Sequence, residues 1–176
     1  MDNYVVWLNS VGMGDVSRVG GKNASLGEMI SSLSGSGVRV PNGFATTAHA
    51  FRDFLDYNDL TSKIHLSLDA LDPTDIHALK ECGAQIRRWI LDSLFPALLL
   101  SAITAAYEKL GAQTEGELSV AIRSSATAED LADASFAGQQ ESYLNVCGIE
   151  SVLTSIKNVF ASLYNDRAIS YRAHQH

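Results

Sequence analysis

Apolar positions recur along this chain with two different spacings, and the alternation between them sets out the expected elements. Tyr4 to Leu8 reads as a strand leading into a Gly12-Met13-Gly14 turn. Leu26, Met29, Ile30 and Leu33 fall at i, i+3, i+4 and i+7, one apolar face of a helix headed by Gly20-Gly21-Lys22-Asn23. Val38 to Val40 predicts a strand entering a Pro41-Asn42-Gly43 turn. Thr46 or Thr47 is then placed to cap a helix with Phe51, Phe54 and Leu55 on one side. A short helix is expected at about Leu60 to Leu68. Asp72 before Pro73 signals the start of another, in which Ile76, Leu79, Gly83, Ile86 and Ile90 point inward to about Ser93. Pro96 opens the next, with Leu99, Ala102, Ile103, Ala106 and Leu110 inward and Gly111 as its stop. Strands at Ser119 to Arg123 and Ser142 to Val146 flank a long loop. Helices at Ile149 to Leu163 and about Asp166 to Ala173 finish the chain. The pattern is α+β, alternating at both ends around a helical middle.

Two stretches break the hydrophobic pattern in a chemically informative way. From Arg123 to Gly138 the chain runs through Ser, Ala and Thr punctuated by acids. Small side chains leave backbone N–H groups reachable by a polyanion. Arg123, at the strand end, offers a planar five-donor fork suited to phosphate oxygens. A mobile surface loop with Arg123 paired to Glu129 or Asp130 fits the segment equally well. In the earlier stretch, a glycine pair, Lys22 and free helix N–H groups would form an anion site, favoured by the positive end of the dipole. It is not a Walker A loop, since the G-x-x-x-x-G-K-[ST] spacing is absent. Taken alone, it reads better as a glycine entry turn with a solvated lysine.

In order, these stretches and two others resemble one family. GGKNASLGEM at Gly20 to Met29, VPNGFATTAHAF at Val40 to Phe51, RSSATAEDLADASFAGQQ at Arg123 to Gln140 and VFASLYNDRAISYR at Val159 to Arg172 are similar to the nucleotide-binding part of the pyruvate-utilising dikinases. The segment from about Asp56 to Gly116 is the least distinctive. The resemblance implies the first part of an ATP-grasp-like domain that clamps ATP. It implies Lys22 and Arg123 on the ATP phosphates, and Ser124, Ser125, Thr127, Gly138 and Gln140 in a loop over the nucleotide. Such enzymes pass a pyrophosphoryl group from ATP to a histidine on a swivelling domain, then the γ-phosphate to water and the remaining phosphoryl to pyruvate. Relatives with another acceptor, inorganic phosphate or rifampin, share the nucleotide domain; a truncated non-catalytic product is a third reading. One departure stands out: Ala132 occupies a loop position where the family usually has proline.

Length then limits what the chain can do alone. At 176 residues it can bury a sizeable core, but the family's enzymes are several times longer. The resemblance leaves the second ATP-grasp half, with its magnesium ligands, the phosphohistidine domain and the pyruvate-binding barrel outside this sequence. The expectation is an N-terminal fragment of residues 1–176, inactive alone, that binds ATP with Mg2+ and meets pyruvate only through missing domains of an enzyme that can form a homodimer.

Composition adds exclusions. A net charge of −7 argues against nucleic acid. No run approaches the roughly 18 apolar residues of a membrane span, and Met1-Asp2-Asn3 is no basic signal region. Cys82 and Cys147 are expected as free thiols in a cytoplasmic protein. Glu129, Asp130 and Asp133 fit a solvated acidic cluster better than a magnesium site. His49, His65 and His77 read as surface positions without acidic or cysteine partners at ligand spacing, and His174 with His176 as a ragged terminus. Trp7 and Trp89 are expected as core anchors rather than an adenine shelf. The serine pair has no positioned base to make it a nucleophile.

Overall fold

The computed structural model describes residues 4–38, 40–72, 74–126 and 141–173. In chain order its elements are β1 (Val5–Trp7), α1 (Val16–Val19), α2 (Gly21–Leu33), β2 (Phe44–Thr46), α3 (Ala48–Tyr57), α4 (Leu60–Asp69), α5 (Ile76–Asp92), α6 (Ala97–Gly111), β3 (Ser119–Arg123), β4 (Ser142–Cys147), α7 (Ile149–Ser162) and α8 (Asp166–Ala173). This is the expected α+β composition. The described residues fall into two compact units, one holding 4–53, 96–118 and 125–126, the other 54–95, 119–124 and 141–173.

The first unit is built on a two-stranded antiparallel ribbon in which Val5 faces Thr46, Val6 faces Ala45 and Trp7 faces Phe44. Side chains alternate across a strand, so Val6 and Ala45 share one face. They pack with Leu8, Val11, Val19 and Ala24 into a small core flanked by Val16, Leu26 and Ile30. Thr47 follows β2, its N–H bonded to Tyr4 O at 2.9 Å and its Oγ1 accepting the Ala50 N–H at 3.1 Å. Of the two expected caps, Thr47 is therefore the one in use. The Tyr4 hydroxyl donates to Asp53 at 2.9 Å, and its ring stacks on His49. On α6, Leu99, Ile103 and Ala106 are buried, as their spacing predicts.

In the second unit α5 is the spine. Leu79, Gly83, Ile86 and Ile90 form its buried stripe, and α4, α7 and α8 pack against it. Phe54 is fully buried, with the Phe95 and Phe160 rings each 5.4 Å from its own. Gly83 lets α8 close in, since a Cβ there would meet Ile169 Cδ1 at 3.0 Å and Tyr164 O at 3.1 Å. The guanidinium of Arg87 donates to Tyr164 O at 2.6 Å and pairs with Asp166 at 3.3 Å, tying the α7–α8 corner to the spine. β3 and β4 form a second antiparallel ribbon, Ser119 facing Cys147 and Arg123 facing Ser142. A bulge lies between Val120 and Ile122, opposite Asn145 at φ +55°, a conformation asparagine tolerates better than most residues.

Several expectations need correction. Neither Val38 nor Val40 lies in a strand; the strand is Phe44–Thr46, after the turn. On α2 the buried residues are Gly21, Ala24 and Gly27, whereas Met29 is exposed and Leu26, Ile30 and Leu33 are half-buried. α5 starts at Ile76 with Asp75 as its cap, its carboxylate accepting from His77 and Ala78 N–H. Asp72 makes a local turn with Thr74 instead, and Ile76 is 81% exposed. Gly111 is the last residue of α6 rather than a left-handed stop. Trp7 and Trp89 are half-buried, with Lys109 Nζ 4.8 Å above the first ring and Lys63 Nζ 3.9 Å above the second. His77 does have an acidic neighbour, Glu81, at 3.5 Å one helical turn on. Both cysteines are free thiols, and burial pushes the Cys82 thiol up. Among the described residues, no single helix is long and apolar enough to cross a membrane.

Candidate functional site

The sequence points to the head of α2 and to the chain leaving β3. α2 begins abruptly because Gly20 takes φ +81°, ψ 161°, open to glycine and strained for other residues, between the four-residue α1 and the long helix. Gly20 has no side chain with which to cap the helix it precedes. The groups that satisfy α2's first amides come from far along the sequence. Ser125 Oγ accepts the Asn23 N–H at 3.2 Å, and Ala126 O accepts the Gly21 N–H at 3.2 Å. The approach is close: a Cβ on Gly20 would sit 2.4 Å from Ser125 Oγ and 2.5 Å from Ser125 O.

The expectation of free N–H groups waiting for an anion is thereby corrected in part. The Gly21 and Asn23 amides are already bonded to the start of the loop. The Asn23 side chain turns back, donating to Val19 O at 2.9 Å, which ties α1 to α2. Lys22 stands between these two residues with its side chain exposed. Within one unit, the structure thus seats Ser125 and Ala126, from the second marked stretch, on the head of α2.

Arg123 and Ser124 belong to the second unit. Arg123 is exposed at the end of β3. Ser124 continues the ribbon by donating its N–H to Glu141 O at 3.3 Å. Its side chain is 5% exposed, and among the described residues its hydroxyl oxygen is the buried side-chain polar atom with no hydrogen-bond partner. Such a group carries an unreturned desolvation cost. Beside it the Tyr143 hydroxyl donates to the Glu141 carboxylate at 2.7 Å. Burial first, and that bond and charge second, push the Tyr143 phenol up to about 12. Sequence reasoning missed Glu141 and Tyr143; their place on the strand that returns beside Ile122 and Ser124 was the available signal.

Of the remaining candidates, Thr127, Gly138 and Gln140 lie outside the described residues, as do Glu129, Asp130, Ala132, Asp133, His174 and His176. Among the described residues no three His, Cys, Asp or Glu side chains are grouped to hold a metal ion.

Comparison with known proteins gives a consistent result. The family model described as the pyruvate phosphate dikinase AMP/ATP-binding domain matches residues 16–176. The chain is 59% identical over 175 residues to phosphoenolpyruvate synthase of Pseudomonas aeruginosa, covering 99% of this chain and 22% of that protein. It is 60% identical over 171 residues to the Escherichia coli phosphoenolpyruvate synthase, covering 97% and 22%. It is 47% identical over 171 residues to that of Helicobacter pylori, covering 97% and 21%. The chain therefore spans about a fifth of the length of these curated relatives. With an α+β fold, Ser125 and Ala126 seated on the head of α2 and nearly the whole sequence matched, the chain belongs to the pyruvate phosphate dikinase AMP/ATP-binding domain family.

Proposed function

We propose that this chain is the ATP-binding portion of a phosphoenolpyruvate synthase, a pyruvate, water dikinase. In this reading the longer protein converts pyruvate, ATP and water to phosphoenolpyruvate, AMP and phosphate through a phosphohistidine carried on another domain. The chain supplies the first part of an ATP-grasp-like, cytoplasmic nucleotide domain. Magnesium ligands, phosphohistidine and pyruvate site lie in the remainder, and the segment alone does not turn over. The observation that carries the reading is the seating of Ser125 and Ala126 on the Lys22 turn, in a chain so similar to proteins named for this reaction.

Transfer of a phosphoryl group asks mainly for positioning and for cations against the developing charge. Lys22 is a compact point charge on a helix head, where the dipole also favours anions. Arg123 presents a fork that can hold two phosphate oxygens at once. Ser124, Ser125, Thr127, Gly138 and Gln140 complete the proposed loop over the nucleotide. Each charge-assisted bond contributes roughly 1.5–3 kcal/mol. In the full-length enzyme Lys22→Ala and Arg123→Ala should each raise the ATP KM or slow phosphohistidine formation at least about tenfold. Unchanged kinetics in both variants removes these cations from the site.

A further inference from the structure

Helices usually draw their N-terminal cap from the residue just before them. In α2 that residue is Gly20, and the hydroxyl that meets the Asn23 N–H belongs to Ser125, 102 positions later. The Gly21 N–H is held at the same time by Ala126 O. Lys22 is thus flanked on both sides by amides bonded to the loop start. Gly20 is pressed so closely on Ser125 that no side chain fits between them.

We propose that Ser125 is a positioning residue for ATP binding: its hydroxyl caps α2 from across the chain and holds the Lys22 turn and the loop start as one rigid piece. The inference rests on the ATP-binding reading and changes the part Ser125 plays in it, from nucleotide contact to brace. Without the cap, the first turn of α2 and residues 125–126 sample other arrangements. Apparent affinity then falls by the fraction of molecules still correctly arranged.

The test uses the full-length enzyme with Ser125→Ala and Ser125→Thr, the second keeping the capping oxygen. In nucleotide-free Ser125→Ala, hydrogen exchange at the Asn23 amide should accelerate. The ATP KM should rise about fivefold, the factor that one lost cap carries, while kcat falls much less. In Ser125→Thr the ATP KM should recover to the extent that Asn23 protection recovers. Weakened ATP binding with unchanged exchange at Asn23 overturns the proposal, because the hydroxyl then acts on the nucleotide directly. Faster exchange with an unchanged ATP KM overturns it too, leaving a cap without functional reach. Failure of the ATP-binding reading itself appears elsewhere, as absence of ATP binding by the wild-type full-length enzyme in calorimetry.

Discussion

A Cβ placed on Gly27 would lie 2.2 Å from Val11 O and 2.6 Å from Leu8 O. Both are backbone carbonyls in the segment after β1, so neither can swing aside as a side chain would. Gly27→Ala should therefore destabilise by more than about 2 kcal/mol, visible as a fall of several degrees in Tm. An unchanged Tm would mean that α2 can withdraw from residues 8–11 without penalty. Ser124 gives the opposite forecast. Removing a buried hydroxyl that lacks a partner leaves no bond broken, so Ser124→Ala should leave the ligand-free Tm unchanged or raised; a clear drop would reveal a bonding partner for that oxygen. Tyr143 yields a pH dependence. Its folded phenol is raised above the ordinary value of 10.0 to about 12, so the fold favours the neutral form. The associated stability is complete below pH ~10 and is lost as pH climbs through ~12. Absorbance titration should show a late-ionising tyrosine that moves earlier in Glu141→Gln.

The elements show how much of this could be read from sequence and why the rest could not. β3, β4, α6 and α7 lie within a residue or so of expectation, because their apolar spacing and flanking glycines or prolines agree with one another. α5 kept its buried stripe but not its start: Asp72 and Asp75 are both competent caps, and it is the Asp75 carboxylate that takes the His77 and Ala78 amides while Asp72 is engaged with Thr74. Asp75→Ala should accordingly cost about 1 kcal/mol in a denaturant melt, whereas Asp72→Ala should cost less. α2 misled for a different reason. Its buried side is made of Gly21, Ala24 and Gly27, and hydropathy gives little weight to residues whose contribution is the room they leave for another backbone. At the head of α2 the composition was legible, glycines around one lysine. The geometry there was not, since a hydroxyl bonded 102 positions away leaves no local trace.

For the whole molecule the governing fact is proportion, a chain spanning about a fifth of its relatives' length. A nucleotide held by only part of its site loses the bonds and the desolvation that the rest supplies. Calorimetry with ATP and magnesium should give a Kd for the 176-residue chain at least about tenfold weaker than for the full-length protein, the equivalent of one lost charge-assisted bond. Equal affinities would place every energetically important contact within these residues. The long reach from Asn23 to Ser125 also has a temporal side. A ribosome adding about 5–20 residues per second finishes α2 several seconds before it delivers Ser125. For that interval the newborn lysine turn has no partner from downstream, and loop closure over so long a span is entropically slow to settle. The nascent chain is thus obliged to complete its lysine turn late, after the helices in between have been synthesised.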